Sequence, residues 1–241
     1  MSNILLINKT NNNIGLKSRV ARNGPELDMV HEFIDTTSKN FNNKKNKNKL
    51  AIFVEPMIDT AYPDIVLAEY NPKVLDNWDD LRSHIEITDI KIFENIRNMR
   101  GANISAIFKK THFSYKTISE AIERLYDAKL IDRKNGKWVS KQLKEIYSIQ
   151  RLVSVEAKIG QLNTLLRQAD VNRWFASESY ALSSTKKPQK TTIERFKNYG
   201  IGLCTLNDGK IIEFNKAEKQ KLPTSYMSWM FNEWVGRYEM Q

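Results

Sequence analysis

The sequence predicts an α/β (α+β) fold, a mixed central sheet flanked by helices and interrupted by an inserted small domain. Three observations carry this expectation. Apolar, strand-like runs lie at 50–56, 63–70 and 150–159, and the last of them alternates with period 2 over 153–159. Segments with helical spacing precede and follow them, at 25–38 and 161–176. The long interval between the second and third runs carries its own helical periodicity and turn signals. With 241 residues, 41% of them hydrophobic, the chain has enough apolar side chain for one larger core and one small one. The expected division is a discontinuous domain, 1–75 with 146–241, and an insert at 76–145.

Taken in order, Pro25 suits the first turn of the first helix. Leu27, Met29, Val30, Phe33 and Ile34 then form one stripe, with Glu26 inside it and Glu32 opposite. The Lys- and Asn-rich stretch from Asn40 to Lys49 reads as a mobile loop into the first strand. In the third strand run, Val153, Val155, Ala157 and Ile159 make one apolar face, and Ser154, Glu156 and Lys158 project from the other. Gly160 ends it. In the following helix Leu162, Leu165, Leu166 and Ala169 form the buried stripe, leaving Gln161, Gln168 and Asn172 along its edge. Ser183 to Lys190 reads as a loop. Residues 199–206 and 211–214, joined through Asn207, Asp208, Gly209 and Lys210, read as a closing β-hairpin. The aromatic stretch 226–235 has helical spacing and is expected to dock on the core, with a dimer contact as the alternative.

Within the insert, Thr88 is the expected cap of a first helix bearing Ile92, Phe93 and Ile96, and Asn103 that of a second bearing Ile104, Ile107 and Phe108. Residues 113–115 make the turn. A third helix, 116–128, buries Ile118, Ala121, Ile122 and Leu125. Leu130 and Ile131 open a strand that returns through Trp138 and Val139 around an Asn135–Gly136 turn. Helix lengths, turn and hairpin together resemble a winged helix-turn-helix domain. Between Arg97 and Lys144 there are twelve Lys/Arg against four Asp/Glu, much of the chain's +10 net charge, and such a surface favours phosphate contact through counterion release. The outward face of the third helix carries Glu120, Glu123 and Asp127, which repel phosphate. The expected DNA contacts are therefore its N-terminal end (Ser114, Tyr115, Lys116, Ser119) and the wing (Arg133, Lys134, Lys137). A packing or protein-binding role suits the same module.

Asp64 precedes the second strand run, so pairing of that run with the third would bring its carboxylate beside that of Glu156. Two hard oxygen donors of this kind suit Mg²⁺ or Mn²⁺. A Glu-x-Lys on a half-exposed strand serves equally well as a solvated charge pair. At Pro63–Asp64 and Glu156–Ala157–Lys158, and in the order helix, strand, strand, strand, helix, strand, the chain resembles the PD-(D/E)xK nuclease superfamily. The resemblance implies a restriction-endonuclease-like core, with Asp64 and Glu156 holding the metal and Lys158 orienting the attacking water. It also implies Glu26 as a helical fourth member of the site. Gln161 and Gln168 are candidate phosphate contacts, or else solvated helix residues.

Composition narrows the rest. A lone Cys204 rules out a disulfide framework and a cysteine zinc site, and His31, His84 and His112 share no metal-ligand spacing. Neither a secretion signal nor an apolar run long enough for a membrane span is visible, so the expected place is the cytoplasm. The reading is a metal-dependent DNA endonuclease, in restriction, repair or mobile-element biology, with a homodimer as an option because two strands must be cut. Its rival is a non-catalytic winged-helix DNA-binding regulator on a nuclease-like scaffold. An RNA nuclease fits less well, since no base-stacking platform of the usual RNA modules is recognisable.

Overall fold

The computed structural model describes residues 3–43 and 47–241. In chain order the regular elements are β1 (Ile4–Ile7), α1 (Pro25–Asn42), β2 (Lys49–Val54), β3 (Ile65–Tyr70), two 3₁₀ turns (Pro72–Asn77 and Asp80–His84), α2 (Ile87–Asn98), α3 (Ile104–Lys110), α4 (Tyr115–Asp127), β4 (Ile131–Lys134), β5 (Lys137–Ser140), α5 (Leu143–Ile146), β6 (Ile149–Lys158), α6 (Leu162–Val171), a 3₁₀ turn (Asn172–Trp174), β7 (Glu178–Ser183), α7 (Lys190–Asn198), β8 (Gly202–Asn207), β9 (Lys210–Asn215) and α8 (Tyr226–Glu239). The fold is mixed α/β. Two compact units divide it, one of residues 1–71 and 149–224, the other of 72–148 and 225–241.

The first unit is built on a seven-stranded mixed sheet of order β1-β2-β3-β6-β7-β8-β9. β2, β3 and β6 run antiparallel in turn, β6, β7 and β8 are parallel, and the β8–β9 hairpin closes one edge. Its turn is made by Asp208 and Gly209, both with positive φ, as a two-residue hairpin requires. The parallel connections run through α6 and α7. On one face Met29, Val30, Phe33 and Ile34 of α1 pack on Leu50, Ile52, Ile65, Leu67, Val153 and Val155. A second cluster joins Leu165, Leu166 and Ala169 of α6 to Ala181, Phe196, Ile201 and Leu203. The alternation along β6 is thereby explained, since its odd-numbered residues complete the α1 core and leave its even-numbered ones to the other face.

Several elements differ from the sequence reading. β1, β7 and α7 are additional, so the strand that follows α6 is β7, and 202–207 is one strand further on. β7 escapes a hydrophobicity scan because its core positions include Ser179, whose hydroxyl donates to the carbonyl of Ala169 at 2.6 Å and so is buried at little cost. α6 is shorter than the 161–176 expectation and ends in a 3₁₀ turn. Asn40, Phe41 and Asn42, expected in a loop, continue α1. Lys44, Lys45 and Asn46 of that expected loop lie outside the described residues.

The second unit holds α2, α3, α4 and the β4–β5 hairpin, whose turn is Asn135–Gly136, again both at positive φ. Ala102 pairs with Trp138 through an isolated antiparallel bridge. Asn103 caps α3, its Oδ1 accepting from the N–H of Ala106 at 2.8 Å. α2 begins two residues earlier than expected. Its cap is Glu86 rather than Thr88, in a box closed by Asp89 accepting from the Glu86 N–H at 2.9 Å. Asp89 is fully buried and takes a two-pronged ion pair from Arg124 of α4, at 2.7 and 2.9 Å, which ties the first and third helices together.

The aromatic C-terminal segment belongs to this unit. α8 buries every residue from Met227 to Arg237. Trp229 stands edge-on to Phe93 (centroids 4.8 Å apart) and Tyr147 (4.7 Å). Glu233 pairs with buried Arg82, and Asn232 accepts from both the N–H and the hydroxyl of Ser148. Its buried aromatic side chains, Trp229, Phe231 and Trp234, thus form part of the core of this unit. No helix among the described residues is long and apolar enough to cross a membrane. Trp229→Ala should lower stability by about 3–5 kcal/mol, read as a fall in the urea midpoint of the full chain.

Candidate active site

Pairing of β3 with β6 sets Ile65 opposite Val155, so the residue before β3, Asp64, comes opposite Glu156. Pro63 has no N–H to extend the ladder. The next free amide of β6, that of Ala157, instead donates to Asp64 Oδ2 at 2.7 Å. Glu156 projects from the middle of the sheet on the face away from α1 and is 6% exposed. Asn172, at the end of α6, donates to Glu156 Oε1 at 2.7 Å. Lys158, one residue pair further along the same face, points its ammonium at Glu26 Oε2 (3.6 Å), and Glu26 Oε1 accepts from the Ile159 N–H at 3.3 Å.

These groups line a cavity of about 560 Å³ whose wall also includes Arg19, Arg22, Glu55, Tyr62, Arg167 and Gln168. Gln161, a left-handed residue at the start of α6, is exposed and is absent from the residues that line the cavity. Glu55 is a site residue that sequence reasoning missed. It directly follows β2, in the left-handed region with φ 47°, at a cost of roughly 1–2 kcal/mol for a residue with a Cβ. Its carboxylate is buried and held by Arg19, whose guanidinium also lies over the Tyr62 ring, 5.2 Å from its centroid. Arg19 and Arg22 come from the irregular stretch between β1 and α1, where no periodicity marks them. The available signal was an acid directly after the apolar run 51–54.

Burial pushes the Asp64 carboxyl up to about 6, with the Ala157 N–H pulling it down and Glu55 pushing it further up. Burial, and next the Asp64 charge, push Glu156 up to about 8, with Asn172 and Lys158 acting against them. The two titrate as a pair. Such a pair, buried and mutually repelling, gains from a cation between its oxygens. Among the described residues no three His, Cys, Asp or Glu side chains form a group able to hold a metal ion. The two carboxylates still fit Mg²⁺, which commonly takes one or two protein carboxylates and keeps water in its remaining positions. Asp64 and Glu156 would be the ligands. Glu26, named with them from the sequence, is engaged by Lys158 and the Ile159 amide.

The DNA contacts that the sequence reading placed in the insert all lie in the second unit. Ser114 caps α4 by accepting from the Thr117 N–H at 3.1 Å. Tyr115, Lys116 and Ser119 are exposed on its first turns, and Arg133, Lys134 and Lys137 are exposed on the hairpin. Lys116 reaches Glu120 at 3.9 Å, and Arg133 lies over the Trp138 ring, 5.4 Å from its centroid. No family model matches the chain, and no curated protein or solved structure matches it.

The raised carboxyls fix a pH dependence. In the folded protein Asp64 and Glu156 hold protons that the unfolded chain releases near pH 4. Without metal, stability is therefore fully present below that pH and falls as pH rises through about 6 and about 8. Thermal melts in chelator should show this decline, and Glu156→Gln should flatten it and be the more stable protein at pH 8. Added Mg²⁺ should raise the wild-type melting temperature more at pH 8 than at pH 6.

Proposed function

We propose that this chain is a metal-dependent DNA endonuclease, with the sheet unit as the hydrolase and the winged-helix unit as the DNA-holding part. The observation that carries the reading is the convergence of Asp64, Glu156 and Lys158 from β3 and β6 in one cavity. That convergence is what the resemblance to PD-(D/E)xK nucleases calls for. Asp64 and Glu156 would hold Mg²⁺ or Mn²⁺, which would supply Lewis-acid polarisation of the phosphoryl oxygen and a more acidic water.

The chain's own residues do the rest. Asn172 fixes the Glu156 carboxylate, and the Ala157 amide fixes that of Asp64. The Lys158 ammonium, held in place by Glu26, orients the attacking water and offsets negative charge that grows on the phosphoryl oxygens. Arg22 and Arg167, exposed on the cavity wall, supply phosphate-binding charge. In the second unit the wing and the start of α4 contact backbone phosphate, while Glu120, Glu123 and Asp127 keep the rest of α4 off it. One site per chain cuts one strand, so cleavage of both strands calls for two copies.

The test is incubation of the full chain with supercoiled, linear and single-stranded DNA, with Mg²⁺ or Mn²⁺ or with chelator. Cutting is expected only with metal. Asp64→Ala and Glu156→Ala should each lower the rate by at least about a hundredfold while DNA binding in chelator persists. Cleavage surviving in both variants would remove the site assignment, and binding without any cleavage by wild type would mark a regulator instead. Neutralising Arg133, Lys134 and Lys137 together should weaken DNA binding. It should also reduce the slope of log affinity against log salt by about 0.9 for each phosphate that is no longer neutralised.

A further inference from the structure

The winged-helix unit carries on its outside an aromatic pair that its core does not use. Phe108 of α3 and Tyr115, the first residue of α4, stack with ring centroids 4.1 Å apart and planes 20° from parallel. They remain 40% and 51% exposed. The inward positions of the same helices, Ile107, Ile118, Ala121, Ile122 and Leu125, are buried, and the pair joins α3 to α4 outside that core. Two large rings left half in water need another account.

Charge supplies one. Lys109 and Lys110 follow Phe108 directly, Lys116 follows Tyr115, and all three are exposed. The acids of α4 lie further along it, at Glu120, Glu123 and Asp127. The start of α4 thus offers flat π surface with exposed lysines at adjoining chain positions, Lys116 also reaching Glu120 at 3.9 Å, and the remainder repels a phosphate backbone. A paired duplex hides its base faces and presents only groove edges and phosphates. An unpaired base presents the flat face that such a surface accepts, and flanking lysines take the adjoining phosphates. Phe108 backs the Tyr115 ring and limits its rotation, so little ordering remains when a base arrives. The other exposed ring of the unit, Tyr126, meets Trp138 edge-on, and Trp138 already carries the Arg133 guanidinium, so that pair offers no comparable platform.

We propose that the Phe108–Tyr115 stack receives an unpaired base, and hence that the substrate is duplex DNA with a single-stranded tail or gap rather than fully paired duplex. The inference rests on the reading of the second unit as DNA-binding. It is tested by fluorescence anisotropy of the full chain in chelator, so that nothing is cut, with a blunt duplex and the same duplex bearing a short tail that contains 2-aminopurine. Wild type should bind the tailed form roughly tenfold more tightly, with quenching of the 2-aminopurine. That ratio should fall to about one, and the quenching vanish, in Tyr115→Leu, while both survive in Tyr115→Phe. Equal affinity for the two DNAs, or a preference that persists in Tyr115→Leu, overturns the inference and leaves the nuclease reading standing. Failure to bind either DNA overturns it together with the DNA-binding role of the unit.

Discussion

The register between β3 and β6 is the constraint on which the candidate site depends. Asp64 and Glu156 are far apart in sequence, and nothing local holds them together. They meet because Ile65 pairs with Val155 and because the ladder stops there, leaving the Ala157 amide for the Asp64 carboxylate. A slip of β6 by one residue would turn Glu156 into the apolar layer under α1 and bring Val155 and Ala157 out of it. The wholly apolar layer of Met29, Val30, Phe33, Ile34, Val153 and Val155 therefore selects the register, and the chemistry on the opposite face follows from it.

That opposite face is electrostatically expensive. Glu156 and Asp64 lie close together and largely out of water, with Glu55 near enough to push both of them upward. The compensation is spread over several elements, with a β6 amide for Asp64, a side-chain amide from the end of α6 for Glu156, Arg19 for Glu55, and Lys158 among them all. The donors come from β6, the end of α6 and the stretch before α1, so the site is assembled only when all of these are in place.

Much of this was readable from sequence because alternation is a strong signal when one face is apolar. Strands β2, β3 and β6, helix α1, the β8–β9 hairpin and the helices of the insert all announce themselves by period and by turn residues. Alternation also singled out Glu156 and Lys158 as neighbours on a polar face. What escaped was stabilised by something other than an apolar pattern. β7 buries serines through hydrogen bonds. α7 has little apolar stripe beyond Ile193 and Phe196. Arg19 and Arg22 sit in irregular chain that is pinned by backbone bonds, the Arg19 N–H donating to the Glu55 carbonyl at 3.0 Å. Glu86 took the cap of α2 from Thr88 because Asp89 was committed to Arg124 and could close a box with the residue three before it. The place of 226–235 was beyond a local reading, since helical spacing shows that a face is buried but not against what.

The destination of α8 bears on how the chain is made. Residues 72–148 supply most of the second unit but lack the helix that covers Phe93 and Tyr147 and partners Arg82. During synthesis this stretch emerges with those side chains uncovered, and the whole remainder of the sheet unit must be translated before 225–241 arrive to cover them. Neither unit corresponds to one uninterrupted run of codons. An excised 72–148 fragment would present the same apolar and cationic surface permanently, with the aggregation hazard that exposed core brings. A minimal version of this module has to carry α8 on a new connection.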